Sequence, residues 1–190
     1  MQNHGGYLDE YENFSPEVNI EGYTREYPDV DNYLSLMKKT DDSLKYLIDY
    51  FATVEEPTMI VIFGDHQPTV DEAFITELYN KEPTEMTLED IDKRYVTPYL
   101  IWTNYDSEIQ PIGDISSNYL GSYILKAANV KMSNYNEFQL EMSEKLPILN
   151  ANIVNNTSNE NLELLNTYKY LEYNYIFDRK NRLDELYKIN

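Results

Sequence analysis

The chain has 190 residues, 42 % of them hydrophobic, and a net charge of −19 from 15 Lys and Arg against 34 Asp and Glu. That length suits one domain, or one domain and a tail, and that charge repels nucleic acid, whose partners need clustered Lys and Arg. The chain has no cysteine, which excludes disulfide frameworks and thiol chemistry, and no apolar run approaches the roughly 20 residues of a spanning helix.

The opening "MQNHGGYLDEYENF" is polar and acidic, unlike a signal peptide. Taken literally, the chain is soluble. Yet "QNHGGY" has a functional look and begins at the second residue, with no room for a strand to hold it. The expectation is therefore a fragment. Residues 8–28 show no period and read as loop. From Asp29, the residues Val30, Tyr33, Leu34, Met37, Asp41, Leu44, Ile48 and Phe51 recur at helical spacing. Pro28-Asp29 opens that helix, and Pro57 lies beyond its end.

"TMIVIF" follows, an unbroken apolar run that reads as a strand over 58–63, covered on both faces as in a parallel sheet. A helix is expected from Val70 or Asp71 to about Tyr79. A short one starts at Thr87, where Asp90 three residues on gives a capping-box-like signal. "TPYLIWTN", 97–104, is a second buried strand. "DISSNYLGSYILKAANV" reads as a helix capped by Ser116 or Ser117, and "NEFQLEMSEKL" as one that stops at Pro147. "NIVNNTSN" is turn-like, "NENLELLNTYKYLEYNYIFD" an amphipathic helix, and "NRLDELYKIN" a charged terminal helix or frayed tail. Helices alternating with buried strands define a layered α/β fold. Tyrosine is abundant, 19 residues against 6 Phe and one Trp. The simpler reading is a core edge whose rings are buried and whose hydroxyls stay wet; a polysaccharide-contacting surface is the other.

The chemistry concentrates in Gly64-Asp65-His66, just past the first strand. In open α/β sheets, ligands bind beyond the carboxyl ends of strands. A carboxylate and an imidazole suit Zn, Mn or Fe and, with more oxygen ligands, Mg or Ca. The competing reading makes Asp65 the cap of the next helix and His66 an ordinary loop histidine, since two ligands alone do not make a site. Asp41 falls on the apolar stripe of the first helix, where a carboxylate is costly unless paired. Burial with local hydrogen bonds is the favoured reading, and a third metal ligand the other.

"VIFGDHQP" resembles the late metal-binding motif of the sulfatase and alkaline phosphatase superfamily, closest to the branch of lipoteichoic acid synthases and related phosphoglycerol transferases. In that branch the Asp and His of hydrophobic-(Tyr/Phe)-Gly-Asp-His ligate one divalent cation, so the resemblance implies that Asp65 and His66 are metal ligands. "MQNHGGY" resembles the segment whose histidine contacts the phosphoglycerol head, here His4, with Gly5 and Gly6 allowing close backbone approach. "DNYLSLMKKTDDSLKYLIDYF", "TPYLIWTNYD", "NYLGSYILKAANV" and "YKYLEYNYIFD" are similar to the flanking elements, in order.

The resemblance implies the C-terminal portion of an alkaline phosphatase-like layered α/β fold, with a mostly parallel sheet flanked by helices. Residues 1–150 are then the C-terminal part of the catalytic domain, and residues 151–190 a helical segment packing on it. The implied cofactor is a divalent ion, Mn²⁺ or Mg²⁺ first, Ca²⁺ or Zn²⁺ as alternatives. The implied reaction is phosphoglycerol transfer from a phosphatidylglycerol-type lipid through a covalent phospho-threonine.

The branch's nucleophile, first carboxylate ligand and membrane helices would all precede Met1. None of Thr24, Thr40, Thr53 or Thr58 lies in a segment like the nucleophile's. The expected partners are thus the upstream half of the same catalytic domain and a phosphatidylglycerol-type lipid or another phosphate or sulfate ester. The expected location is the extracellular face of the cytoplasmic membrane in the parent protein. The chain alone is expected to be inactive, to bind metal weakly and to self-associate through an uncovered sheet. A sulfatase or phosphatase/phosphodiesterase of the same superfamily, and a non-catalytic module binding anionic polymer through metal, are the alternatives.

Overall fold

The computed structural model describes residues 5–9, 12–107, 112–150 and 158–189. His4 and residues 152–157 of the expected turn lie outside them. The chain divides into two compact units, Met1–Tyr105 and Asp106–Asn190.

The first unit is organised by helix α1, Pro28–Phe51. Pro28 sits in its first turn, where a missing N–H costs nothing and the fixed φ suits the helix. Asp29 and Asp31 follow, where carboxylates complement the helix dipole. The side chains of this end bind loops. Ser35 Oγ accepts the backbone N–H groups of Glu17 and Val18, both at 2.9 Å, and Asp31 Oδ1 accepts that of Ile20 at 2.8 Å. Asp29, only 4 % exposed, accepts the N–H of Asp71 at 2.6 Å.

Asp41, by contrast, is exposed, which corrects the expectation of burial. Beyond its second turn α1 is thinly covered: Tyr46, Leu47 and Tyr50 are exposed as well. Helical spacing marks a face, and the C-terminal half of that face is only partly covered: Leu44, Ile48 and Phe51 are half-buried while Asp41 is open. The buried carboxylate of α1 is Asp29, which has found a donor.

Strand β1, Met59–Phe63, pairs with β2, Tyr99–Thr103, in register from Met59 opposite Thr103 to Phe63 opposite Tyr99. The pairing is antiparallel, which corrects the expected parallel strand at 58–63. The connection over residues 64–98 contains helices α2, Glu72–Tyr79, and α3, Leu88–Lys93, yet returns to the same end of the sheet. A continuous apolar run does not encode strand direction. Nor is β1 fully covered: Met59 to Ile62 are half-buried and Phe63 is 57 % exposed, because a two-stranded sheet has little to hide behind. Asp71 caps α2 by accepting the N–H of Ala73 at 2.8 Å. Thr87 and Asp90 form the capping box of α3, as their spacing suggests.

The second unit contains α4 (Ser117–Ala127), α5 (Asn134–Lys145), α6 (Asn159–Ile176) and the short α7 (Asp184–Tyr187). Tyr119, Met142, Leu146 and Leu165 form its core. Ser116 stands at the α4 N-cap, but its hydroxyl accepts the N–H of Leu149 at 2.7 Å instead of capping the helix. Tyrosine hydroxyls find partners as the rings are buried. Tyr119 donates to the Leu146 carbonyl at 3.0 Å, Tyr123 pairs with Ser143 at 2.8 Å, and Tyr135 reaches Glu172. Burial pushes the Tyr119 phenol up to about 12 and raises that of Tyr135 further.

Two outcomes are expected. Asp29→Ala should cost about 1–3 kcal/mol, because it empties a buried position and leaves the Asp71 N–H without its acceptor, whereas Asp41→Ala should leave the denaturant midpoint in place. A midpoint that responds to Asp41 and not to Asp29 would reverse the assignment. The Tyr119 phenol is protonated in the fold and its folded value lies above the ordinary 10.0, so its contribution is complete below that pH and is lost as pH rises through about 12. Stability measured by denaturant at rising alkaline pH should therefore decline over that window, less steeply in Tyr119→Phe.

Candidate metal centre

Residues 64–67 form a turn laced to the lead-in of β2. Gly64 N donates to the Pro98 carbonyl at 3.0 Å, and Thr97 Oγ1 donates to the Gly64 carbonyl at 2.9 Å. A Cβ on residue 64 would lie 3.0 Å from Thr97 Cβ, tight enough that Thr97 would have to shift by a few tenths of an ångström. Glycine lets Thr97 approach without that shift. On the far side of the turn, Gln67 Nε2 donates to the Val96 carbonyl.

Between these ties stand Asp65 and His66. Asp65 Oδ1 accepts the His66 backbone N–H at 3.0 Å, and Asp65 Oδ2 lies 3.7 Å from His66 Nε2. His66 Nδ1 is 2.8 Å from the Gln67 carbonyl. A carbonyl only accepts, so in the neutral ring Nδ1 carries the proton and Nε2 the lone pair. A metal-bound imidazole requires that tautomer, and a backbone carbonyl is a common way of fixing it. Two ligands on one cation, each about 2.0–2.2 Å from it, lie no more than about 4.4 Å apart. The pair meets that condition, and the donor set fits a divalent ion.

The helix-cap alternative for Asp65 is not what the structure shows, since Asp71 holds that position. Among the described residues, no group of three or more His, Cys, Asp or Glu is placed to hold a metal, so Asp65 and His66 have no third carboxylate or imidazole beside them there.

A shared cavity for Asp65 and His66, the expectation for ligands at a strand end, is not found. Their side chains stand in the open, 81 % and 62 % exposed. A groove of about 550 Å³ elsewhere in this unit is lined by Thr24, Arg25, Tyr27, Glu77 and Lys81 among others, and by neither Asp65 nor His66. Its polar groups serve one another. Glu77 accepts Thr24 N at 2.5 Å, Thr24 Oγ1 at 2.8 Å and Tyr27 OH at 2.8 Å. Arg25 meets Asp71, and Lys81 meets Asp90, each at 2.5 Å. Burial pulls the Glu77 carboxyl up, but the bonds from Tyr27 and Thr24 outweigh it and leave it below the ordinary glutamate value.

His4 lies outside the described residues, but the segment after it is held. Gly5 and Gly6 both have positive φ, 45° and 70°, which side chains resist. Asn32 Nδ2 donates to the Tyr7 carbonyl at 2.6 Å, and the Tyr7 and Tyr33 rings meet edge-on at 5.4 Å. The hydroxyls of Thr24, Thr40, Thr53 and Thr58 donate to Glu77, Leu36, Tyr50 and Glu56. Sequence reasoning passed over Thr97 and Gln67, which hold the turn. A Thr before Pro reads only as the approach to a strand, and Gln67 only as part of a loop.

The Sulfatase family profile matches residues 1–130, and the chain belongs to that family. Two proteins sharpen the comparison. The phosphoglycerol transferase GacH of Streptococcus pyogenes, solved with sn-glycerol-1-phosphate, superposes with a TM-score of 0.73 at 22 % identity, over 100 % of this chain and 46 % of its own. The fold is therefore that of an alkaline phosphatase-like phosphoglycerol transferase. A Rhizobium meliloti (strain 1021) protein named for cyclic beta-1,2-glucan modification is 24 % identical over 99 % of this chain and 32 % of its own length. The chain thus spans about half of one and a third of the other.

Gly64→Ala should cost about 1–3 kcal/mol by overpacking against Thr97. In a Thr97→Gly background, which lacks the opposing Cβ, the same change should cost less. Equal costs in a double-mutant cycle would show that the contact does not constrain the turn.

Proposed function

We propose that Asp65 and His66 contribute to a divalent-cation site of a phosphoglycerol transferase. Mn²⁺ or Mg²⁺ is the favoured ion, and the donor is a phosphatidylglycerol-type lipid. The convergence of the two side chains at the end of β1 carries the reading, within a Sulfatase-family chain of this fold. When bound, the cation supplies Lewis acidity for a phosphate ester. Asp65 provides the carboxylate, and His66 provides an imidazole whose tautomer the Gln67 carbonyl sets. His4 contacts the phosphoglycerol head. The nucleophile, a threonine forming a covalent phosphoglycerol ester, comes from outside this chain. So does the rest of the catalytic domain, docking where β1, β2 and the later turns of α1 are exposed. Without it, the open sheet edges favour self-association.

The parent protein works at the extracellular face of the cytoplasmic membrane; among the described residues no helix is long and apolar enough to cross one. The Rhizobium relative's name favours a saccharide hydroxyl as acceptor. A sulfatase or phosphodiesterase would use the same Asp65 and His66 and differ in the nucleophile.

Mn²⁺ should bind the chain weakly, since two protein ligands leave most of the coordination sphere to water. Asp65→Ala and His66→Ala should each abolish that binding in calorimetry. The chain alone should not turn over phosphatidylglycerol or simple phosphate and sulfate esters. Mn²⁺-dependent turnover by the chain alone, lost in Asp65→Ala, would place a complete catalytic set within these residues and overturn the reading.

A further inference from the structure

The exposure of Asp65 and His66 raises a physical difficulty. Two solvated side chains on a turn normally sample many rotamers, and a cation would have to order them at an entropic cost. The structure removes part of that freedom from outside the pair. Thr97 Oγ1 holds the Gly64 carbonyl at 2.9 Å, which fixes the peptide plane leading into Asp65. Gln67 Nε2 holds the Val96 carbonyl, which fixes the residue whose own carbonyl meets His66 Nδ1. Only the two ligands lie between these ties. Both ties end on residues 96–98, the segment entering β2, so the turn is clamped to the lead-in of a paired strand.

We propose that Thr97 and Gln67 are positioning residues for the cation pair, locking residues 64–67 onto residues 96–98 so that Asp65 Oδ2 and His66 Nε2 stay within chelating distance. The inference rests on the metal reading of Asp65 and His66. Neither Thr97 nor Gln67 touches the cation. Thr97 acts through the Gly64–Asp65 peptide and Gln67 through the carbonyl that orients the imidazole. Outer partners of this kind are typically worth about 10- to 100-fold in metal affinity.

The test is a Mn²⁺ titration of the full chain in about 0.15 M salt, which screens the diffuse cation atmosphere of an acidic surface. It is read from the paramagnetic broadening of the His66 ring-proton signals, assigned by their loss in His66→Gln. Thr97→Val and Gln67→Met should each raise the Mn²⁺ concentration for half-broadening by about 10-fold or more. Thr97→Ser keeps the hydroxyl and should titrate within about twofold of the unaltered chain, as expected when the hydroxyl is the working group. Denaturant midpoints confirm that each variant is folded at the titration temperature. If Thr97→Val does not fold, Gln67→Met and Thr97→Ser still carry the comparison. Titrations of Thr97→Val and Gln67→Met that overlay the unaltered chain would overturn the proposal and leave the metal reading standing. A His66 titration unchanged in Asp65→Ala, or no Mn²⁺ broadening in the unaltered chain, would overturn the metal reading and this inference with it.

Discussion

Backbone groups in loops have no ladder of their own, and in the first unit side chains supply it. An unpaired N–H taken out of water costs as much as a lost hydrogen bond. Ser35, Asp31 and Asp29 meet that demand from one end of α1, and Glu77 meets it from α2. Asn104 does the same at the far end. Its Oδ1 accepts Thr58 N at 2.8 Å while its Nδ2 reaches the carbonyls of Phe51, Val54 and Glu56. The link from α1 to β1 is thereby tied to the exit of β2. This need explains why two of the three buried positions on α1, Asp29 and Ser35, are polar. Ser35 is almost wholly enclosed because the loop at Glu17 and Val18 folds over its hydroxyl.

The same constraint marks where sequence stops informing structure. Pro28, Asp71 and the Thr87-Asp90 pair announce their helices because each acts on backbone groups within a turn of itself. The apolar runs of β1 and β2 announce strands because β-branched and aromatic residues suit a pleated surface. Strand direction, by contrast, depends on where the chain goes over residues 64–98, which no local pattern records. Asp41 and Asp29 both lie on α1 and both look costly to bury. Only the arrival of Asp71 N decides which one is enclosed. At the candidate site, Asp65 and His66 were legible as candidate ligands because an Asp-His pair past a strand end sits where open α/β sheets bind ligands, and because of the family resemblance of the segment around them. Thr97 and Gln67 were not, since a hydroxyl and an amide bonding to carbonyls can stand almost anywhere.

The second unit answers the question raised by the tyrosines. Tyr119, Tyr123 and Tyr135 place rings inward and hydroxyls on partners, the behaviour expected of a core edge. Gln139 links this layer to a polar chain, accepting Ser122 Oγ at 2.7 Å and donating to Tyr135 OH at 3.0 Å. Such a network is stable only when every member is satisfied, and no buried side-chain polar atom among the described residues lacks a partner. Other tyrosines, among them Tyr46, Tyr95 and Tyr170, are largely exposed, so a single explanation does not cover the residue type.

The antiparallel pairing of β1 with β2 also carries a consequence in time. Phe63 and Tyr99 close the sheet across everything from Gly64 to Pro98, and the entropy of closing so long a loop must be met before the ladder returns any of it. Helices α2 and α3 are local and capped by their own residues, so they can form while the sheet is still open. The turn bearing Asp65 and His66 belongs to neither class. Its ties run to residues 96–98, which arrive only when the loop closes. The two candidate ligands are therefore neighbours in the chain, yet the ties on either side of them depend on closing a loop of more than thirty residues.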